Sequence, residues 1–355
     1  MKIVTVIGNR PQFVKAAAVS GPLRAQHDEV LVHTGQHYDD ELSTVFVSEL
    51  GVPRPERELG LGTGTNTEQT ARMLGALGPL LAQERPDAVL VYGDTNSTLA
   101  GGLAAAQARV PVAHVEAGMR SFDRAMPEEL NRVLTDHLSD LLLCPSATAV
   151  ANLEREHAAG RIELVGDVKV DVALLFQPRA RQDDEPLRSA RVRPGEYVLV
   201  TAHRAGNVDD LARLLQLVEL LLALPCDVVL PLHPRTRARL QDAGLLVRLV
   251  SAEHLKLLPP VGYLAFTALL CRARAVLTDS GGVQKEAYLA GVACVTLRDT
   301  TEWVETVDAG WNVLVDLDTD AALAALRRPM PEARPELYGD GRAGERVVAE
   351  LAALA

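Results

Sequence analysis

The chain has 355 residues, which is enough for two domains that each bury a core. Hydrophobic residues make up 48% and charged residues 23%, a globular composition that excludes an extensively disordered chain. The 36 Lys and Arg against 47 Asp and Glu give a net charge of −11, and no basic run is present. We therefore expect neither a nucleic acid nor a membrane as a partner.

The four cysteines are far apart and form no C-x-x-C pair, which disfavours both a zinc site and a disulfide framework. We expect reduced thiols and a cytoplasmic protein. Residues 1–9 hold too short an apolar stretch for a signal peptide and are predicted to begin the first strand. Residues 211–224 carry polar side chains at helical spacing, which predicts an amphipathic helix and not a membrane span.

Short apolar runs alternate with Ala- and Leu-rich helical segments along the first half of the chain. These runs predict strands at residues 3–7, 30–33, 88–91, 112–115 and 141–144. Continuous apolar runs are typical of parallel strands that helices cover on both faces. The fold class is therefore predicted to be α/β, with a doubly wound sheet.

The alternation stops between residues 177 and 194, where prolines, acidic residues and arginines replace it. We interpret this segment as the region of the connection between two domains. Strands of a second α/β domain are predicted at residues 197–201, 227–231, 246–250, 275–278, 293–297 and 312–315. A helical segment at residues 341–355 follows a Pro-rich stretch and is expected to dock on either domain.

Ligands of open α/β sheets bind beyond the carboxyl ends of the strands, so the residues after each strand are the candidates for a site. Residues 8–12 form a turn into a helix, where Arg10 and Lys15 suit an anion at the helix N-terminus. The alternative is a capped turn with solvated charges. Neither a G-x-G-x-x-G sequence nor a Walker A loop is present.

Carboxylates follow the next strands of the first domain. Asp94 and Glu116 each come directly after a strand, and Glu128 and Glu129 come after Pro127. Carboxylates that gather in one cleft can serve as base and acid. The alternatives are a helix N-cap for Asp94 and a partner of the helix dipole for Glu128, whereas Glu116 has no comparable alternative.

A Gly-rich turn in the second domain is a candidate phosphate site. Residues 278–282 end a strand and open a helix, so the N–H groups of Gly281 and Gly282 and the hydroxyl of Ser280 suit a phosphate. The alternative is a β-α turn in which Ser280 serves as the N-cap. Glu286, one turn into this helix, suits the two hydroxyls of a ribose.

His203 and His233 each follow a strand of the second domain. A histidine in such a place binds phosphate or moves a proton, and the alternative is a structural role. Carboxylates bind divalent metals, but no D-x-D pair occurs at the strand ends. We therefore predict no metal.

The chain contains, in order, the segments GNRPQ, TGQHYD, VYGDTNSTLA, VAHVEAGMRSFDRAMPEELNR, TAHR, LHP, LTDSGGVQKEA and RDTTE. Over essentially its full length it resembles the non-hydrolysing UDP-N-acetylglucosamine 2-epimerases. The resemblance implies a GT-B-like arrangement of two Rossmann-like domains facing across a cleft. Residues 1–176 would then carry the catalytic carboxylates, residues 177–335 would bind UDP, and residues 336–355 would form a helix that returns to the N-terminal domain.

The resemblance implies inversion at C2 of a UDP-sugar by elimination of UDP to a glycal and re-addition, without NAD, another cofactor or a metal. The product, UDP-N-acetylmannosamine, would supply surface polysaccharides, and a homodimer is implied. By motif, Asp94, Glu116 and Glu128 are catalytic, and His203 is catalytic or contacts phosphate. The implied substrate-binding residues are Arg10, Lys15, Phe266, Ser280, Gly281, Gly282 and Glu286. The candidate second sugar-nucleotide site comprises Gln36, His37 and His233.

The chain departs from the family pattern in two motifs. Many members read H-R-x-E-N where this chain has Gly206, and T-E-R-P-E where it has Trp303, which removes a cationic contact to phosphate or ribose. Residues 38–40 look more like the branch that acts on UDP-2,3-diacetamido-2,3-dideoxy-glucuronate. That substrate is therefore one alternative, and a GT-B glycosyltransferase or a catalytically inactive nucleotide-sugar sensor are the others.

Overall fold

The computed structural model describes residues 1–36 and 51–354, except for the side chain of Arg10. The chain divides into two compact units, one formed by Met1–Leu174 with Glu336–Ala355 and the other by Leu175–Pro335. Each unit contains one parallel sheet with helices packed on it, so the predicted α/β fold class is confirmed.

The strands, in chain order, are β1 Lys2–Ile7, β2 Asp28–His33, β3 Arg57–Glu58, β4 Ala88–Tyr92, β5 Val112–Val115, β6 Leu141–Cys144, β7 Arg161–Leu164, β8 Tyr197–Thr201, β9 Asp227–Pro231, β10 Leu255–Leu258, β11 Ala275–Thr278, β12 Ala293–Thr296 and β13 Asn312–Leu314. The described part of the first sheet has the order β3-β2-β1-β4-β5-β6-β7, and that of the second has the order β10-β9-β8-β11-β12-β13. The order reverses between β1 and β4 in one sheet and between β8 and β11 in the other. These two switch points are the places where doubly wound sheets bind ligands.

The helices, in chain order, are α1 Arg10–Arg24, α2 Asn66–Glu84, α3 Asn96–Gln107, α4 Pro127–Leu138, α5 Ala147–Arg155, α6 Val168–Gln182, α7 Glu185–Ala190, α8 Ala205–Val208, α9 Leu211–Ala223, α10 Pro234–Asp242, α11 Leu246–Val250, α12 Tyr263–Cys271, α13 Gly281–Ala290, α14 Val304–Asp308, α15 Thr319–Arg327 and α16 Ala343–Ala352. Local sequence explains where several of them begin. Asn9 and Gln12 form a capping box at the start of α1, and Thr95 and Thr98 form one at the start of α3. Among the described residues, no helix has the length and apolar character needed to cross a bilayer.

The central strands of the first sheet are buried on both faces, which explains their continuous apolar runs. Helix α3 approaches this sheet closely because it is rich in small residues. A Cβ on Gly101 would lie 3.0 Å from Val91 Cγ1 and 3.3 Å from Val6 Cβ, so the helix backbone packs almost directly on the strands. This packing holds the end of β4, and the residue that follows it, in a fixed place.

One predicted strand is wrong. Residues 246–250 form the short helix α11, and the neighbouring strand β10 comes later, at Leu255–Leu258. Leu245 and Leu249 are buried four residues apart, whereas Val247 and Val250 are exposed, which is the periodicity of a helix. A five-residue apolar run does not by itself distinguish a strand from a helix. The structure shows that this run buries one side of a helix and exposes the other.

The segment interpreted as a connection is mostly helical. Residues 177–182 continue α6 beyond Pro178, and residues 185–190 form α7. Leu187 and Ala190 of α7 are buried in the core of the second unit. Polar composition in this segment therefore marks exposed helix faces, and the few apolar residues provide the packing.

The C-terminal helix α16 packs within the first unit, against α1. The backbone N–H of Gly344 donates to Asp171 Oδ1 at 2.8 Å, and a Cβ on Gly344 would overlap the backbone oxygen of Ala18. Glycine at this position therefore allows the close approach of the two helices.

Candidate functional site

Asp94 follows β4 at the switch point of the first sheet. The N-cap of the next helix is Thr95, whose side chain accepts from Thr98 N–H at 3.3 Å, so the alternative role of Asp94 as the cap is excluded. The Asp94 carboxylate instead contacts the guanidinium of Arg132 on α4. The side chain of Arg132 is 4% exposed and that of Asp94 is 34% exposed, so a buried cation holds a carboxylate that remains open to solvent.

Glu116 follows β5 and has a left-handed backbone, with φ of +71°. This conformation is strained for a residue with a side chain and is found preferentially at functional sites. The Glu116 carboxylate contacts the ammonium of Lys15 from α1, and both side chains are almost buried. A Cβ on Gly93 would lie 2.6 Å from Lys15 Nζ and 3.3 Å from Glu116 Oε2, so a glycine after β4 leaves room for this pair.

Glu128 and Glu129 both lie in the first turn of α4, where the helix dipole favours negative charge. Glu129 is buried and accepts from the N–H and hydroxyl of Ser121, from Phe122 N–H and from Arg132, at 2.9–3.1 Å. Its hydrogen bonds give it a structural role. Glu128 is half-buried, and its side chain forms no hydrogen bond or ion pair with any other described residue. Its carboxylate is therefore available to a ligand.

Helix α4 carries Glu128 and holds Asp94 and Glu129 in place. Asn131 Nδ2 donates to the backbone oxygen of Asp94 at 3.0 Å, while Arg132 bridges Asp94 and Glu129. Sequence reasoning missed both residues. The signal was present in the segment PEELNR, because positions 128, 131 and 132 lie on one face of a helix.

A buried polar network lies behind the strand ends. His114 of β5 bonds to Asp136 of α4, which also accepts from Arg120, and Arg120 pairs with Glu156. Burial opposes ionisation of Asp136, but the charges and hydrogen bonds of His114 and Arg120 lower the pKa of this carboxyl below its ordinary value. The hydrogen bonds from Arg120 likewise lower the pKa of Glu156.

Gln36 lies in the first unit and accepts from the N–H and hydroxyl of Ser97, at 3.1 and 2.7 Å. It therefore contacts the first turn of α3, next to the cap formed by Thr95. Of the predicted site residues, His37 lies outside the described part of the chain, and for Arg10 only the backbone is described.

The turn after β11 has the form expected of an anion site. Ser280 is the N-cap of α13, but its side chain forms no cap hydrogen bond, so capping does not engage the hydroxyl. A Cβ on Gly281 would overlap Glu302 Oε1, so a larger residue at this first helical position requires the Glu302 carboxylate to move. Glu302 in turn pairs with Arg298 at 3.0 Å and lies 4.0 Å from Arg204. Gly282 follows in the same helical turn and is partly exposed.

His203 and His233 come together in the second unit. Their rings stack with centroids 5.4 Å apart, and His203 is 40% exposed. The buried carboxylate of Asp279 accepts from the backbone N–H groups of His203 and Arg204, both at 3.0 Å, and thereby fixes the loop after β8. The structure therefore places His203 beside the Ser280 turn, at the switch point of the second sheet.

Phe266 and Glu286 lie on α12 and α13, respectively. Phe266 packs against the apolar core of the second unit and is partly exposed. Burial, and after it the charge of Glu286, raise the pKa of Tyr263 on α12, which shows that Glu286 lies near this helix. Trp303 replaces the arginine of the common motif, and its indole is buried beneath the Lys285 ammonium, 3.9 Å from the ring centre.

The two clusters supply complementary chemistry. In the first unit, Asp94, Glu116 and Glu128 can take up, hold or deliver a proton. In the second unit, a helix N-terminus and a histidine suit a phosphate group. Among the described residues, no group of three or more His, Cys, Asp or Glu side chains is arranged to hold a metal ion.

Comparison with known proteins assigns the chain to a family. The sequence profile described as UDP-N-acetylglucosamine 2-epimerase matches residues 23–352. The chain belongs to this family. It is 46% identical to the UDP-2,3-diacetamido-2,3-dideoxy-D-glucuronate 2-epimerase of Pseudomonas aeruginosa, over 100% of both chains. It is 41% identical to the UDP-N-acetylglucosamine 2-epimerase of Methanocaldococcus jannaschii, over 98% of each.

Solved structures of family members have the same fold. The crystal structure of the Methanocaldococcus jannaschii epimerase in complex with UDP-N-acetylglucosamine and UDP superposes with a TM-score of 0.94 at 40% identity, covering 99% of this chain and 100% of that one. The Neisseria meningitidis epimerase bound to UDP-N-acetylglucosamine gives a TM-score of 0.88 at 29% identity, with coverage of 99% and 100%. The GT-B-like fold class of the epimerase family is thus confirmed for this chain.

Proposed function

We propose that the protein is a non-hydrolysing epimerase that converts UDP-N-acetylglucosamine to UDP-N-acetylmannosamine by inverting C2 of the sugar. Membership of the epimerase family and the names of its relatives support this reaction. The observation that carries the proposal is the set of three carboxylates beyond β4 and β5, each in a different environment. A proton transfer at carbon needs groups of this kind, and a simple binding protein does not.

The proposed reaction proceeds in two halves. In the first, a base removes the C2 proton while the bond between C1 and the diphosphate oxygen breaks, which gives a glycal and UDP. In the second, UDP adds back to C1 and C2 receives a proton on its opposite face. Two groups on opposite faces of the sugar therefore exchange protons with C2.

The first unit offers the groups for these transfers. Asp94 and Glu116 each contact a cation, Arg132 and Lys15 respectively, which orients a carboxylate that can accept a proton or stabilise positive charge on the sugar. Glu128 has no cationic partner among the described residues, which suits a group that carries a proton in part of the cycle. We propose all three as catalytic residues, with Lys15 positioning Glu116.

The second unit offers the groups for the leaving diphosphate. Ser280, Gly281 and Gly282 open α13, where unpaired N–H groups and the helix dipole stabilise negative charge. His203 lies at the same switch point and is proposed to contact the phosphates or to return a proton to them. We further propose that Phe266 packs near the uracil and that Glu286 binds the ribose hydroxyls.

UDP-2,3-diacetamido-2,3-dideoxy-glucuronate is the second candidate substrate. The Pseudomonas aeruginosa relative named for this substrate is 46% identical to the chain over its full length. The reaction would be the same inversion at C2. Residues 38–40, whose sequence favours this branch, lie outside the described part of the chain.

Proton NMR in D₂O tests the proposal. The purified protein is mixed with UDP-N-acetylglucosamine, and the H1 and H2 signals of the sugar are followed over time. We expect a manno-configured product with deuterium at C2. If nothing changes, the same assay with the diacetamido-glucuronate sugar separates another substrate from another reaction. Unchanged H1 and H2 signals with both sugars would overturn the epimerase assignment and favour a transferase or a sensor on the same fold.

We also propose that the enzyme works in the cytoplasm as a homodimer and that Gln36, His37 and His233 contribute to a second sugar-nucleotide site. Free cysteines in the described chain agree with a reducing compartment. Sedimentation equilibrium of the full chain tests the dimer. A constant monomer mass over the working concentrations would contradict it.

A further inference from the structure

A buried histidine and a buried aspartate link the two strand ends that carry Asp94 and Glu116. His114 in β5 and Asp136 in α4 are both completely buried. Nδ1 of His114 lies 2.7 Å from Asp136 Oδ1, and Nε2 lies 2.7 Å from the backbone oxygen of Gly93. Building on the proposed function, we infer that His114 and Asp136 form a positioning pair, in which an imidazolium donates from both ring nitrogens and fixes the backbone beneath both carboxylates.

The partners of the ring define its protons. A backbone oxygen only accepts, so Nε2 donates to Gly93. Oδ2 of Asp136 accepts from Gly118 N–H at 3.1 Å and from Arg120 Nη1 at 2.7 Å, which are the contacts of an ionised carboxylate. An ionised Oδ1 accepts as well, so Nδ1 carries the second proton.

The two hydrogen bonds of the ring lead directly to the candidate catalytic residues. Gly93 immediately precedes Asp94, and Gly118, held by the same aspartate, lies two residues after Glu116. Gly93 and Glu116 both have left-handed backbones, with φ of +65° and +71°. Glycine adopts this conformation freely, whereas Glu116 is strained in it, so the pair supports the end of β5 at a residue that needs such support.

The charges around the pair balance within the first unit. Arg120 contacts Asp136 and Glu156, so with the imidazolium of His114 two cations and two anions alternate, and the Glu156 side chain at the end of the network is 28% exposed. Burial, and after it the charge of Asp136, raise the pKa of the Cys144 thiol on the neighbouring strand, which keeps that thiol neutral. The titratable and charged groups around the pair are Arg120, Cys144, Glu156 and, at 3.6 Å from Glu156, His137.

Substitutions of His114 separate the two hydrogen bonds. His114→Asn places an amide near the position of Nδ1 and keeps the bond to Asp136, whereas His114→Gln places one near Nε2 and keeps the bond to Gly93. Because each retains one donor, we expect kcat to fall roughly 10- to 100-fold in both, with KM and the dissociation constant of UDP within about twofold of wild type. Leu142→Ala is the control, because Leu142 pairs with His114 in the neighbouring strand and is equally buried, but carries no polar link.

The kinetic result has two contradicting outcomes. An unchanged kcat in both His114 variants, or an equal fall in Leu142→Ala, would overturn the positioning role. Asp136→Asn provides a further variant in case the His114 variants do not fold. It keeps the size of the side chain and removes the charge, and we expect the same fall in kcat at unchanged KM.

A measurement that needs no turnover tests the protonation of the ring. Full-length protein labelled with ¹⁵N-histidine is studied by NMR at neutral pH, and the His114 ring is assigned through its nuclear Overhauser contacts. We expect both ring nitrogens to show the shifts of protonated nitrogen and to carry slowly exchanging protons, and one unprotonated nitrogen would overturn the inference. Wild-type protein that is inactive on both sugars would instead refute the proposed function, while the NMR result would still decide the state of the pair.

Discussion

Neighbouring residues with identical side chains have different roles on α4. The Glu129 carboxylate accepts hydrogen bonds from Ser121, Phe122 and Arg132. The Glu128 side chain forms no hydrogen bond or ion pair with another described residue. The sequence places both in one helical turn, and its motif resemblance selects Glu128 without giving a physical reason. That reason depends on the chain segment at Ser121 and Phe122, whose N–H and hydroxyl groups donate to Glu129 and not to Glu128.

The variants Glu128→Gln and Glu129→Gln are a matched pair. Glu128→Gln removes a proposed proton carrier, so we expect kcat to fall roughly 10²- to 10⁴-fold with no change in urea unfolding. Glu129→Gln weakens buried hydrogen bonds to a charged acceptor, so the free energy of unfolding falls by about 1–3 kcal/mol. The opposite pattern, with Glu129→Gln stable and Glu128→Gln unfolded, would contradict both assignments.

The helices and strands follow from the sequence where the apolar periodicity is long. The central strands of both sheets are predicted because they are buried on both faces, and α9 because its polar residues recur at helical spacing. The strand predicted at residues 246–250 is wrong, and the edge strands at Arg57–Glu58, Arg161–Leu164 and Leu255–Leu258 are missed. Edge strands are half-exposed and short, so neighbouring strands and not local composition determine them.

The turn into α13 predicts a contrast between two glycines of the second unit. A Cβ on Gly281 would overlap Glu302, whereas Gly206 in α8 has open space around it and no left-handed backbone. We expect Gly281→Ala to weaken UDP binding at least tenfold, because the added methyl group displaces the Glu302 carboxylate beside the turn, and Gly206→Ala to leave binding within about twofold and stability unchanged or slightly higher. Isothermal titration calorimetry with UDP measures both. Equal affinities of the two variants would refute the role of the turn.

The whole molecule is predicted to lose stability in acid because several carboxyls are stabilised in their charged form. The pKa of Asp136 is lowered in the folded protein, and those of Glu156, Asp209 and Asp340 are lowered by hydrogen bonds with arginines. A carboxyl whose pKa is lower in the folded than in the unfolded chain stabilises the fold at pH values above its unfolded-state pKa. This contribution is lost as the pH falls through the folded-state pKa. Asp171 acts in the opposite direction, because burial raises its pKa.

Urea unfolding at several pH values tests this balance. We expect the free energy of unfolding to be nearly constant between about pH 6 and 8 and to fall below about pH 4, where the carboxyls take up protons. Asp136→Asn lacks one of these carboxyls. The difference in free energy of unfolding between this variant and the wild type is therefore expected to narrow as the pH falls. A difference that stays constant into the acid range would show that Asp136 makes no charge-dependent contribution.

At the scale of the whole chain, the sequence predicts the fold class better than it predicts the site. Repeated apolar runs are sufficient to identify two parallel sheets, and the residues after β4, β8 and β11 are found at the two switch points, with those after β5 beside the first of them. The supporting residues His114, Arg132 and Asp136 escape prediction because their partners lie far away in the sequence. Only the folded chain brings them together.

The left-handed backbone of Glu116 has a consequence for the evolution of this enzyme. A residue with a side chain costs about 1 kcal/mol or more in this conformation, whereas glycine adopts it freely. Glycine would relieve this strain but would leave the almost buried ammonium of Lys15 without the Glu116 carboxylate, so selection for stability does not favour glycine at this position. Variants of this protein selected for stability are therefore expected to retain Glu116 in spite of its strained backbone.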